Sequence, residues 1–369
     1  MTQELFSPER LRLARQRRGL LAQELAARLG VTPKTISRWE NGERSPESEF
    51  IDPMSRVLEF PRDFFFGDAP PILDSAKFRA LARMTARQRN MALAAGSQAL
   101  ALDAWIEQHF ERPRPNVPEL RDVSPVRAAE ALRAAWGLGY RPIQNLIHLL
   151  EKNGIRVYSL VHDGTEVDAF SDWQGNTPFV FLNMSKTAER SRMDAAHELG
   201  HLVLHGHTGG DGSKAQEDEA QAFASAFLMP QASFIATSPA RISLATVIEA
   251  KQVWGVSALA YVHRLHNVRR LRDWHYRSLC IEIKTQFRRE EPGPPRQRET
   301  SQVLSKVLIP PRLGGSVTRK DAAKRLRVHV RDLDDITFGL ALTSVVGGIV
   351  PPRNRPSSQV RSPGMRLIK

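Results

Sequence analysis

The sequence predicts a multidomain, mainly α-helical chain that contains one α+β unit with a small sheet. Three observations carry this expectation. The chain has 369 residues, too many for one ordinary domain and suited to two or three. Helical apolar spacing dominates, yet IRVYSL (155–160), VDAFSDW (167–173) and TPFVFLN (177–183) form one group of β-like runs, with turn signals at Asp163-Gly164 and Gly175-Asn176. Proline-rich breaks at Asp68-Ala69-Pro70-Pro71, 112–118 and 288–300 divide the chain.

In order, these signals give an all-helical bundle at 1–66 and a helical connector with a proline-rich linker at 67–123. The α+β unit follows at 124–275, then a linker at 276–300, a small basic helical domain at 301–345, and a Pro/Arg/Ser end at 346–369 expected to be disordered. The net charge is +13, concentrated in residues 251–369, which hold 24 Lys and Arg against 9 Asp and Glu. Such a stretch is either a solvated tail or a surface for a polyanion. No run of 18 apolar residues exists, so no membrane-spanning helix and no membrane partner are expected. The first ten residues lack the apolar stretch of a signal peptide, and the single Cys280 fits a reducing compartment. The expected location is the cytoplasm.

Within the first unit, Leu20, Leu25, Ala26 and Leu29 repeat at helical spacing. Gly30 stands where a tight turn needs a left-handed residue, and Thr32 followed by Pro33 is an N-cap with proline in the first turn. Ile36 and Trp39 then point inward. Lys34, Thr35, Ser37 and Arg38 point outward, as a helix reading the major groove requires. Lys34 and Arg38 suit guanine edges, while Asn41 and Arg44 suit phosphates. The stretch resembles the lambda-repressor-like (XRE) helix-turn-helix family in Leu25-Ala26, Leu29-Gly30-Val31 and Ile36-Ser37-Arg38-Trp39-Glu40-Asn41-Gly42. The resemblance implies a double-stranded operator as partner and a pairing of Arg15 with Glu40. Leu21 and Ala22 depart from the family's hydroxyl-then-Gln opening of helix 2, which removes an N-cap and a phosphate contact.

The second chemical signal is His197-Glu198-Leu199-Gly200-His201. Residues four apart share a helix face, so His197 and His201 can reach one Zn2+, with Glu198 beside them as general base. Ser191 and Asp194 are read as the capping pair of this helix. A catalytic zinc needs a third protein ligand. His207 would fit only a helix that turns away at a glycine, and Leu204 stands there. His205 lies about 12 Å from His197 along the axis and is read as supporting the centre from behind. In QEDEAQAFASAFLMP (216–230), Glu219 sits beside the apolar stripe Ala220, Phe223, Ala224 and Phe227, so Glu219 is favoured as third ligand, with Glu217 as runner-up.

Residues 124–268 resemble the ImmA/IrrE metallo-endopeptidases through Arg192 to Ala196, His197 to His205, and Glu219-Ala220 through Leu228-Met229-Pro230, with Gln221 where the family often has Asn. The resemblance implies a minimal zincin of gluzincin type, with a small antiparallel sheet above the motif helix. It implies a protein substrate, in known cases a repressor, and sometimes a toxin gene nearby. A peptide would lie along an edge strand, for which 177–183 and 167–173 are the candidates. Tyr261, His263 and Arg264 are candidate oxyanion donors, with nothing to choose among them. The function expected is a DNA-binding regulator whose zinc endopeptidase domain cleaves a regulatory protein. The alternative is a regulator or antitoxin whose zinc is structural or sensory. A toxin and a second copy of the chain are further candidate partners. In the tail, Asp332, Asp334 and Asp335 on one helix would repel phosphate, so that helix is read as a packing or protein-interaction element.

Overall fold

The computed structural model describes residues 4–73, 85–160, 169–206, 213–288, 290–308 and 318–341. The disorder expected at 346–369, the Asp163-Gly164 turn and His207 lie outside the described residues. The N-terminal bundle contains α1 (Pro8–Arg17), α2 (Ala22–Leu29), α3 (Pro33–Glu40) and α4 (Ser48–Leu58), closed by a 3-10 turn at Arg62–Phe65. Its core is built from the periodic apolar positions Leu11, Leu25, Ile36, Trp39, Met54 and Leu58 together with Phe60 and Phe65. Gly30 ends α2 in the left-handed region at φ 68°, which costs glycine nothing. Thr32 accepts the Thr35 amide at 3.2 Å and opens α3. Where α2 lacks a hydroxyl cap, Glu24 accepts the Leu21 amide at 2.7 Å and supplies half of a capping box.

Among its described residues the connector holds one helix, α5 (Ala86–His109). Its stretch Met91 to Leu100 is buried on every side, as an all-round apolar helix must be. It packs against α1 on one side and the sheet of the α+β unit on the other. In that unit come α6 (Pro125–Ala135), α7 (Leu146–Lys152), β1 (Arg156–Ser159), β2 (Phe170–Gln174) and β3 (Thr177–Leu182). Next are α8 (Ala188–Leu204), α9 (Lys214–Leu228), α10 (Gln231–Thr237), α11 (Leu244–Trp254), α12 (Ala258–Asn267) and α13 (Asp273–Phe287).

The sheet runs β1-β3-β2 and is mixed, where the family resemblance implied an antiparallel one. β2 and β3 form an antiparallel hairpin, Phe170 opposite Phe181, and β1 pairs parallel to β3, Val157 opposite Val180. β1 and β2 run in opposite directions, so the central β3, buried along all but its first residue, is parallel to one and antiparallel to the other. Residues 177–183 are therefore not an edge. Of the two candidates, the run ending in β2 lies at the edge beside α8.

The tail adds α14 (Gln302–Val307), α15 (Arg319–Leu326) and α16 (Val330–Thr337). Residues 276–287, read from sequence as the start of a linker, continue α13. Further along, Glu299 accepts the Leu146 amide at 2.7 Å and pairs with buried Arg192 of α8. A single carboxylate thus fastens the segment 290–300 to α7 and α8 of the α+β unit. The connector, the α+β unit and the tail share one apolar core, because α5 and α16 both bury a face against β1. The acids of α16 do pack: Asp332 meets Arg18 at 2.6 Å, Asp335 meets Arg17 at 2.8 Å and Asp334 meets Arg319 at 3.6 Å. Arg17 is 1% exposed and also donates to Gln98 of α5 at 2.8 Å.

This docking predicts a stability effect. Arg17→Met keeps the stem but leaves the buried Gln98 oxygen without its donor, which should cost about 1–3 kcal/mol. Urea unfolding followed by circular dichroism reads it as a lower midpoint. A midpoint equal to the parent's would show that these pairs add nothing to docking.

Candidate metal centre and DNA-facing helix

The helix carrying the histidine motif starts one turn earlier than its sequence suggests. Thr187 caps α8, accepting the Arg190 amide at 3.3 Å. Ser191 and Asp194, read as the capping pair, are interior: Ser191 donates to the Asn183 carbonyl at 3.4 Å and Asp194 binds Lys186 at 2.7 Å. Within α8, Gly200 lies under α9. A Cβ there would stand 3.2 Å from the Ala220 Cα and oxygen. The two helices can approach this closely because residue 200 has no side chain.

That approach selects the carboxylate. His197 Nε2 and His201 Nε2 are 3.0 Å apart. Glu217 faces both, one oxygen 3.3 Å from His197 Nε2 and the other 3.5 Å from His201 Nε2. Among the described residues, these three form a group whose donor atoms all lie within 4.8 Å of one another. Glu219, favoured from sequence as the third ligand, is instead bonded to His205 Nε2 at 3.0 Å. The correction has a geometric cause. The face of α9 on α8 runs through Ala220, and the next residue toward the N-terminus on that face is three back, Glu217, whereas Glu219 is a neighbour turned about 100° aside.

The donor set fits a zinc ion. Ligand atoms at zinc–ligand distances of about 2.0–2.1 Å in a tetrahedron stand about 3.3 Å apart; the two histidine nitrogens are 3.0 Å apart, and Glu217 sets one oxygen 3.3 Å from the first and its other oxygen 3.5 Å from the second. The remaining ring nitrogens are also accounted for. His201 Nδ1 lies 2.9 Å from His205 Nδ1. If His201 Nε2 faces a metal, its Nδ1 carries the proton and donates to His205. His205 then holds its own proton on Nε2 and donates it to Glu219. His205 and Glu219 thereby orient His201, the support that metal-binding histidines commonly have.

Electrostatics agree with this arrangement. Hydrogen bonds from His197 and His201 hold the Glu217 carboxyl far below the usual carboxylate range. Burial pulls the His197 pKa down, but Glu217 and Glu198 outweigh it and leave it raised. For His205 burial wins over Glu219 and the pKa falls, which favours the neutral ring that the relay needs. Glu198 is 5% exposed, and burial raises its carboxyl above the ordinary range despite the two histidines. Ser171 of β2 donates to Glu198 Oε2 at 2.8 Å. Sequence reasoning missed Ser171. The alternation of β2 marks it as facing the helix, but only the sheet order shows which strand does so.

The oxyanion candidates belong to other contacts. Arg264 donates to the Met229 carbonyl at 3.0 Å, His263 meets the Tyr276 hydroxyl at 2.8 Å, and Tyr261 packs on Phe234. On α3, Lys34, Ser37 and Arg38 are exposed, as are Asn41 and Arg44 just beyond it. Thr35 is half-buried and shares its hydroxyl with Thr32 at 2.9 Å. Arg44 leans on Glu47 at 2.6 Å, and Asn41 receives Arg12 at 3.0 Å. Arg15 grips Glu40 with two bonds of 2.6 and 2.8 Å, the expected pairing, and this bidentate pair ties α1 to the end of α3.

Two outcomes follow for the metal centre. Glu217→Gln should lose zinc on dialysis, while Glu219→Gln should keep most of it; elemental analysis showing the reverse order would restore Glu219 as ligand. Proton competition should weaken zinc binding as pH falls. The raised His197 pKa lies above 6.5, so the metal-free histidine gains its proton, and binding declines, already above that pH. Zinc titrations giving a flat affinity from pH 8 to 6 would contradict this.

Comparison with known families gives two matches. A helix-turn-helix family model covers residues 11–65, and a peptidase M78 model, the IrrE N-terminal-like domain, covers residues 150–266. No curated protein matches the chain. Among the described residues, no helix is long and apolar enough to cross a membrane. The M78 domain implies a divalent metal, and the three-ligand cluster lies inside its matched span. The chain is thus a fusion of an XRE-type helix-turn-helix with a metallopeptidase domain of the ImmA/IrrE type.

Proposed function

We propose that this protein is a transcriptional regulator that binds a double-stranded operator through α3 and cleaves a regulatory protein at the His197–His201–Glu217 centre. The observation that carries the reading is a buried carboxylate, Glu198, set beside a cluster that, among the described residues, offers three donors, His197, His201 and Glu217. A purely structural zinc has four closed ligands and no use for a base.

When bound, zinc supplies Lewis acidity, which polarises a peptide carbonyl and makes water acidic near neutral pH. The other steps belong to the chain. His197, His201 and Glu217 would hold the ion. Glu219 and His205 keep the His201 ring in orientation. Ser171 occupies Glu198 Oε2, which leaves Oε1 to take the proton from the attacking water and return it to the leaving amine. Burial favours this, since a raised carboxyl pKa makes a stronger base. β2 offers an extended edge beside α8 along which a substrate peptide pairs backbone to backbone.

Cleavage tests the peptidase part. Glu198→Gln should retain zinc and DNA binding yet lose about 10²–10⁴ in rate, seen as an intact target on immunoblots of stressed cells. Normal induction by Glu198→Gln, with no fragment in either strain, would leave the zinc a structural or sensory role. Binding tests the DNA part. Lys34→Ala and Arg38→Ala should each cost about 1–3 kcal/mol at one base and relax specificity, while Arg44→Ala should weaken all sequences alike. Unchanged operator and random-DNA binding in the first two would remove α3 as the reader.

A further inference from the structure

Helix α13 packs on α12 and α11 and buries Leu279 and Ile283. The opposite side carries Trp274, Arg277, Ser278, Ile281, Lys284 and Thr285, all exposed. Their spacing of three, four and seven residues sets them on one stripe along the helix. Two of them are large and apolar, Trp274 at 68% exposure and Ile281 at 65%. His275 stacks on the Trp274 ring with centroids 5.1 Å apart, which covers one face of the indole.

Cations surround this pair. Arg269, Arg270 and Arg272, in the turn before α13, are exposed together with Arg277 and Lys284. Elsewhere the chain neutralises its arginines internally, as Arg17 and Arg18 do with the acids of α16. Here the charge is unmet: among the described residues, Arg269, Arg272, Arg277 and Lys284 form no ion pair. The stripe itself holds no acid. Asp273 and Glu282 stand at its margins, where Asp273 meets His266 at 2.8 Å and Glu282 accepts from Gln286 at 3.3 Å.

This composition narrows the partner. A second copy of the chain would set cations against cations. A nucleic acid would use the arginines, but it has no use for an exposed Ile281, and His275 already occupies one face of the ring on which a base would stack. An anionic bilayer uses every member of the stripe. Headgroup phosphates meet the cations, an indole sits at headgroup level, and a branched aliphatic side chain reaches the acyl boundary.

We propose that the exposed stripe of α13 is a peripheral docking surface for an anionic lipid bilayer. The helix lies on the membrane and does not cross it, since its other side is buried against α11 and α12. The sequence expectation of no membrane partner rested on the lack of a spanning run, which a surface contact does not need. The contact uses none of the residues of α3 or of the metal centre and does not depend on the peptidase reading.

Sedimentation of the full-length chain with vesicles tests this surface. Phosphatidylcholine vesicles with about one third phosphatidylglycerol should bind it at least about tenfold more tightly than phosphatidylcholine alone, and raised salt should release it. Trp274→Ala with Ile281→Ser removes the apolar anchors and should weaken binding several-fold. Arg272→Gln, Arg277→Gln and Lys284→Gln together should weaken it about tenfold or more. All five positions are exposed, so both variants should keep the parent's circular dichroism, and either one alone suffices for the test. Equal binding to neutral and anionic vesicles, or parent-like binding by a folded variant, would overturn the proposal. So would vesicles that stay unbound while the charge variant loses affinity for a single-stranded oligonucleotide, which would make the stripe a nucleic-acid surface.

Discussion

The spacing of α8 and α9 at Gly200 is the constraint on which the metal centre depends. Glycine inside a helix costs about 1 kcal/mol relative to alanine, and here it stands in the middle of α8. What the helix gains is contact: the position of a missing Cβ is 3.1 Å from Phe223 and 3.2 Å from Ala220. Below that point the fully buried Phe223 and Phe227, on one face of α9, turn that face into the core and so set its rotation. With distance and rotation set, the carboxylate one turn above Ala220 arrives between His197 and His201. Among the described residues, Glu217 is the acid that a second helix brings to that pair.

Around the centre, polar groups are arranged so that each has one remaining direction in which to act. His201 uses one nitrogen toward Glu217 and the other toward His205, and His205 ends on Glu219. Glu198 has one oxygen tied to Ser171. The cost of burying these groups is offset by mutual hydrogen bonds, so the site is organised before any ligand arrives. Such preorganisation is what lets a base and a cation act without reorganising during the reaction.

The basic character of the chain takes a different meaning once the pairs are visible. Arg17 and Arg18 at the end of α1 face Asp335 and Asp332 of α16, and Arg327 pairs with Glu4 at 2.5 Å. These charges hold the tail to the DNA-binding bundle. Lys34, Arg38 and Arg44 at and beyond α3 stay exposed, while α3 packs on α1 and α2 and, through Trp39 against Phe50, on α4.

The sequence by itself determined the chemistry and the local structure. Helical spacing of Leu25, Ile36 and Trp39, the Gly30 turn and the Thr32 cap are encoded within a few residues, as is the one-face placement of His197 and His201. These depend on short-range sterics and hydrogen bonds, which any chain with those residues obeys. The tertiary structure decided what depends on packing between distant segments. Glu217, and not Glu219, faces His197 and His201 because the rotation of α9 is set by its contact with Gly200, which no periodicity within α9 reveals. Ser171 joined the site because the most apolar strand took the centre and left β2 at the edge beside α8. Glu299 reached Arg192 across more than a hundred residues of sequence, so a stretch rich in proline and charge, which reads as a free linker, became a strap held by a buried ion pair.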